Sequence, residues 1–189
     1  AIDYAVRAHN YVFAREMMIK SAQTIVRDEG LLPNLLQWTQ KIPVEDSVES
    51  VDLRFWTSWS LAFSCRYQES EKEIRLLEKS LTESANLSRQ QLARYRCNIG
   101  SLKVAIKTFQ DKSLTVYHAS EQWLGKYRRS ADPFHVGVCA GARFLSARLQ
   151  LEVLEAKKAI DLAKSLIRKA NSLYGELWIS QLDGVADRH

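Results

Sequence analysis

Apolar residues recur every three or four positions along most of the chain, the spacing of one face of an α-helix. Between residues 11 and 29 they are Ala14, Met17, Met18, Ala22, Ile25 and Val26. Between 88 and 109 they are Leu92, Tyr95, Ile99, Leu102, Ile106 and Phe109, a regular stripe. No stretch keeps the period-two alternation of a half-buried strand. The pattern predicts helices over residues 1–8, 11–29, 31–42, 51–64, 68–84, 88–109, 112–127, 133–151, 155–170 and 171–187. Local chemistry supplies the stops. Gly30 fits the position just past a helix end, and Pro43 cannot continue one. Glu45, Asp46 and Glu49 make the following loop acidic. Ser88 with Gln91 forms a capping box, and Asp132-Pro133 supplies an N-cap and first helical residue.

Residues 51–64 depart from the one-sided pattern. Leu53, Phe55, Trp56, Trp59, Leu61, Ala62 and Phe63 leave little polar face, so this helix is expected to be buried between neighbours. The turn Cys65-Arg66-Tyr67-Gln68 joins it to an amphipathic helix. A turn-aromatic-x-x-small unit, Tyr67-x-x-Ser70, lies at that junction and is followed by Ile74 and Leu77. The small residue recurs at Ser113 and Ala156, and the steps from 70 to 113 and from 113 to 156 are 43 residues each. Four residues on stand Ile74, Tyr117 and Ile160, and seven on stand Leu77, Ser120 and Ala163. Tyr11, Ala14, Met18 and Ser21 make an earlier copy. A helical hairpin cannot bury its apolar face alone, and stacking hairpins solves this. Tyr11, Ala14, Tyr67, Ser70, Ser113 and Ala156 are therefore the expected packing positions of a repeat. The fold class expected is all-α, a tetratricopeptide-like right-handed superhelix of antiparallel helix pairs, as one domain over residues 1–189.

Composition fits a helical globular chain. The 189 residues are 46% hydrophobic and 26% charged, with only 7 Gly and 3 Pro. Twenty-seven basic and 22 acidic residues give a net charge of +5, a mild bias toward anionic partners. Cys65, Cys97 and Cys139 are odd in number, widely spaced and without a CxxC pair, which excludes a zinc knuckle or redox dithiol and predicts small buried thiols. No apolar run approaches the roughly 20 residues that span a bilayer, and no secretory signal opens the chain. A cytoplasmic location is expected. The chain starts without Met and ends without a closing apolar element, so a longer parent protein is expected.

The segment from Gly30 to Pro43, GLLPNLLQWTQKIP, followed by FWTSWSLAFSCRYQESEKEI, resembles the tetratricopeptide-like domain of MalT-type, large ATP-binding regulators of the LuxR family. In that family a helix with L-x-x-W-x-x-x-[IL]-P precedes an aromatic helix reading W-x-x-x-x-x-G-R-[YL]-x-E-A-E. The matching positions are Leu35, Trp38, Ile42, Pro43, Trp59, Arg66, Tyr67, Glu69 and Glu71. Cys65 stands where the family has Gly, and Ser70 where it has Ala. The resemblance covers residues 1 to about 78. It implies an ATP-binding module upstream and a DNA-binding helix-turn-helix downstream, so ATP would be a cofactor only of the former and DNA a partner only of the latter. It also implies self-association of the full-length protein, a small-molecule inducer or regulatory protein as partner, and no membrane.

A right-handed stack of hairpins offers a concave face lined by the first helix of each pair. The polar or aromatic residues there that leave the core stripe are Arg54, Trp59, Arg94, Asn98, His135 and Arg143, the ligand-groove candidates. An Arg fork suits carboxylates and phosphates, and a Trp face suits a sugar ring or apolar body. Each also has a plainer reading as a solvated or core side chain. Residues 126–129 form a basic loop whose ordinary role is charge solvation. No HExxH, GxSxG or GxxxxGK[ST] is present, and the four histidines are scattered, so no catalytic or metal-binding set is expected. The sensor and oligomerisation segment of a bacterial regulator is the expected function. A scaffold gripping a peptide or partner helix is the alternative, and an enzyme is a third class.

Overall fold

The computed structural model describes residues 1–42, 50–83, 87–110 and 113–186. Pro43, the acidic loop with Glu45, Asp46 and Glu49, and the expected ends at Ser84, Lys112, Asp187 and His189 lie outside the described residues. Those described are all-α, with no strand among them. They fall into two compact units, Ala1–Leu87 and Ser88–His189.

The first unit holds α1 (Ile2–Arg7), α2 (Tyr11–Gln23), a π-helical turn (Thr24–Asp28), α3 (Leu32–Lys41), α4 (Val51–Phe63) and α5 (Tyr67–Glu83). Ala14, Met18, Ala22 and Val26 fall at steps of four and are fully or almost fully buried, which turns one face of α2 into the core. Leu35 of α3 is also fully buried. As its composition demands, α4 is buried over most of its circumference, from Phe55 and Trp56 through the run Ser58–Ala62. Its buried hydroxyls cannot stay unpaired. Ser58 and Ser60 donate to the carbonyls of Arg54 and Trp56 at 2.8 and 2.9 Å. Ser70 of α5, itself buried, donates across the hairpin to the Ser58 carbonyl at 2.7 Å. Arg54 pairs with Glu73 at 2.7 Å on the same two helices. Both cross-links are spaced symmetrically about the turn after α4, so α4 and α5 run antiparallel.

The second unit holds α6 (Arg89–Phe109), α7 (Ser113–Tyr127), α8 (Pro133–Leu149), α9 (Val153–Ala170) and α10 (Leu173–Ala186). Helix α8 packs against all four others. Its residues 134–142 are buried without a break. Small residues make this possible. A Cβ at Gly137 would stand 2.7 Å from Ile167 of α9, and one at Gly141 2.9 Å from Trp178 of α10. Trp123 of α7 fills the space over Gly100 of α6 and donates its indole N–H to the Cys97 carbonyl at 3.0 Å.

Both units close hairpins with one device. His9, Cys65 and Leu151 follow a helix with φ of 54°, 60° and 62°, the left-handed conformation. The next N–H reaches back five residues in each case, Asn10 to Ala5, Arg66 to Leu61 and Glu152 to Ala147, all at 2.9 Å. This Schellman geometry satisfies carbonyls that the helix end would orphan. Gly30 follows the π-helical turn with φ 71°, and there Leu31 reaches back six residues to Ile25. Wider winding adds one residue to the closing loop. Arg66 then grips Glu69 with two bonds of 2.7 and 2.6 Å over the first turn of α5.

The repeat positions can now be placed. Ser70 and Ala156 are the fourth residues of α5 and α9, and both are buried. Ser113 opens α7. Leu77, Ser120 and Ala163, one unit of seven on, are fully buried. Ala14 is fully buried, Tyr67 is half-buried, and the Tyr11 hydroxyl hydrogen-bonds to His9 Nδ1 at 2.6 Å. One sequence expectation is corrected: Cys65 is exposed, because the left-handed turn sets it at the hairpin tip. Cys97 and Cys139 are buried, and burial pushes the Cys97 thiol up to about 11 and the Cys139 thiol well above its usual range.

Leu151 is 86% exposed and contributes little packing while holding φ at 62°. A non-glycine residue there is strained by about 1 kcal/mol. Leu151→Gly should relieve that strain, partly offset by the freer unfolded chain, and raise the melting temperature by about 1–2 °C. A lowered melting temperature in differential scanning calorimetry would contradict a strained turn.

Candidate functional site

Burial separates the six groove candidates. In the first unit, Trp59 is 0% exposed and stacks on Phe63 with ring centroids 5.2 Å apart, so it is a core residue and faces no solvent. It lies on a helix packed on several sides, where no open groove reaches it. Arg54 is held on Glu73. In the second unit, His135 is 3% exposed and its Nδ1 lies 2.8 Å from the Ser101 hydroxyl, again inside the core. Its position early in the enclosed run of α8 leaves it no open side. Arg94 is exposed, with its guanidinium 5.1 Å from the Tyr95 ring centroid. Asn98 is half-buried, and its carbonyl accepts from Ser101 at 2.7 Å. Of the six, Arg143 alone lines a cleft of the second unit.

That cleft lies where α7, α8 and α9 meet and encloses about 770 Å³. Its floor is apolar, with Leu124, Ala140, Ala159 and Leu162. Its charged lining is Lys126, Arg128, Arg129, Arg143 and Lys158 against Glu121 and Glu155. Five cations face two carboxylates, so the cleft is a positively charged hollow in which the low-dielectric walls strengthen attraction for an anion. Arg143 projects from the middle of α8. Lys126 belongs to the last turn of α7, Arg128 and Arg129 to the turn after it, and Lys158 to the second turn of α9.

Arg143 is fixed in place. Its guanidinium carbon lies 3.7 Å from the centroid of the Tyr117 ring, and its Nη2 donates to the Tyr117 hydroxyl oxygen at 2.9 Å. Cation–π attraction and the hydrogen bond together hold the planar fork. The Tyr117 hydroxyl in turn bonds the Glu152 carboxylate, which is the main reason its pKa is raised; burial adds to this, and the nearby Arg143 charge opposes it. Arg143 Nη1 is enclosed and makes no hydrogen bond. Its nearest carboxylate, Glu121, stands 3.6 Å away, beyond hydrogen-bonding reach. The Arg143 side chain is 13% exposed and that of Glu121 is 58%. On the far wall Lys158 donates to Glu155 at 2.9 Å, which holds that carboxyl below its ordinary range.

Sequence reasoning placed Arg143 among the candidates but not its neighbours. The run at 126–129 was visible only as a basic loop, and Lys158 reads as one surface lysine among many. No pattern along the chain announces that α9 brings Lys158 opposite Lys126. Among the described residues no group of three or more His, Cys, Asp or Glu could hold a metal ion, and no helix is long and apolar enough to cross a membrane.

Folding raises the Tyr117 pKa, so the protonated phenol is favoured in the folded state. Its stabilising contribution is complete below the ordinary tyrosine value near 10 and is lost as pH rises through the raised folded-state value. In a spectrophotometric phenolate titration, Tyr117→Phe should remove a component from the high-pH end, and Glu152→Gln should move that component down. Loss of a component near pH 10 would contradict the Tyr117–Glu152 bond. As for known proteins, the chain matches no family model, no curated protein and no solved structure.

Proposed function

We propose that this chain is the effector-binding and oligomerisation module of a MalT-like, LuxR-family transcription regulator, built as a tetratricopeptide-like right-handed superhelix, with the α7–α8–α9 cleft as its effector site. The observation that carries the binding role is Arg143, immobilised by Tyr117 at the wall of a charged hollow of about 770 Å³. That volume is within the range that holds one small molecule. The family reading is supported by the residues from Leu35 to Glu71 and by one structural detail. Cys65, at the family's glycine position, takes the left-handed conformation that glycine adopts freely. Effector binding would act by favouring one of two forms of the regulator, since a ligand with equal affinity for both shifts nothing.

A second reading, a scaffold for a peptide or partner protein, is favoured by a different observation. Leu149, Leu151, Val153 and Leu154 stand exposed together around the α8–α9 turn. Such a patch suits a protein partner.

A thermal-shift screen distinguishes the two. A small metabolite should raise the melting temperature, by an amount equivalent to about 2.7 kcal/mol at a hundredfold excess over Kd. Arg143→Ala should weaken that ligand by about tenfold or more while the far-ultraviolet circular dichroism stays unchanged. Stabilisation by a peptide and by no metabolite would favour the scaffold. The regulator reading further requires a phosphate-binding loop and a helix-turn-helix encoded on either side of this segment in the full-length protein; a flanking sequence lacking both would sink it.

A further inference from the structure

The chemistry of the cleft says more than that it is charged. Its seven charged lining residues are unbalanced by three positive charges. A single carboxylate would leave most of that excess uncompensated, whereas a phosphomonoester carries about −1.5 to −2 near neutral pH. The donor at the centre is already prepared. Arg143 spends Nη2 on Tyr117, and the ring stack stops the guanidinium from rotating, so Nη1 is left with its hydrogen-bonding capacity unmet. An enclosed guanidinium N–H without a partner is costly. Glu121 stands 3.6 Å from it, too far to bond yet close enough to attract, and its side chain is more than half exposed. Lys126, Arg129 and Lys158 rim the same space on flexible stems.

Resting on the reading of the cleft as an effector site, we propose that it is a phosphate site for a phosphorylated small molecule, with Arg143 Nη1 as the anchoring donor and Glu121 as a built-in competitor that the phosphate displaces. The phosphate takes the place beside Nη1, and Lys126, Arg129 and Lys158 supply further charge-assisted bonds. The apolar floor of Leu124, Ala140, Ala159 and Leu162 receives the body of the molecule. Nucleic acid fits less well. A cleft of about 770 Å³ holds one small molecule, and Glu121 and Glu155 on opposite walls would repel a continuous polyanion. Because the rim is solvent-exposed, binding weakens as salt rises.

The test is isothermal titration calorimetry on the whole chain, with pyrophosphate, AMP and adenosine as probes at two salt concentrations. Pyrophosphate and AMP should bind and adenosine should not, with affinity falling as salt rises. Arg143→Ala and Arg143→Lys should each weaken AMP by about tenfold or more, the second variant keeping the charge and guarding against misfolding. Glu121→Gln, at an exposed position, should tighten AMP several-fold by removing the competitor, and Arg94→Ala, outside the cleft, should leave it unchanged. Equal binding of AMP and adenosine, or weaker AMP binding by Glu121→Gln, would overturn the proposal. So would a single-stranded oligonucleotide that binds far more tightly than AMP and displaces it. If pyrophosphate and AMP fail while an uncharged metabolite raises the melting temperature, the phosphate proposal fails and the effector-site reading stands. If only peptides bind, both fail.

Discussion

Ile167 and Trp178 occupy the space in which side chains at Gly137 and Gly141 would stand, and the second unit is organised around that exclusion. Two glycines one turn apart leave a shallow strip along α8, so α9 and α10 approach closely enough for dispersion contacts to become extensive. With α6 and α7 on its other sides, α8 is enclosed, and the residues it carries inward lose access to water. His135 is therefore paired with Ser101 inside the core. Arg143 stands two residues beyond Gly141 and so on another face of α8, where it lines the cleft between α7 and α9. It alone of the groove candidates reaches the cleft. The same principle operates in the first unit through Ser70, whose small side chain both permits close approach and bonds the Ser58 carbonyl.

Close packing of this kind needs sharp reversals. Among the described residues, four non-glycine residues take a left-handed conformation at such reversals, and His9, Cys65 and Leu151 are three of them. The strain at each is compensated by backbone bonds that the turn completes, from Asn10, Arg66 and Glu152. Leu151 belongs to one of these reversals and also to the exposed apolar cluster at the α8–α9 turn.

The cleft adds a polar logic to the packing. Tyr117 stands at the repeat position four residues after Ser113, and its ring carries the Arg143 guanidinium on its face. Its hydroxyl accepts from Arg143 and bonds Glu152, so a chain of three side chains from three segments sets the direction of one N–H group. Positioning a donor in this way before any ligand arrives reduces the ordering cost of binding.

By itself the sequence determined that the described residues are helical and where several helices start or stop, because the 3.6-residue period, the Ser88–Gln91 box, the Asp132-Pro133 start and the stops at Gly30 and Cys65 act locally; the π-helical winding of Thr24–Asp28 left no such mark. It also determined that α4 is buried, since a helix apolar nearly all round has no other stable place. Burial of particular polar residues was not legible. Trp59 and His135 lie on faces whose neighbours are supplied by distant segments, and Cys65 is exposed because its backbone turns left-handed rather than because of its own polarity. The tertiary structure alone decided the site. Lys126 and Lys158 belong to helices that both pack on α8 and so line one cleft, and a field made by charges from three helices has no representation in the order of residues along the chain.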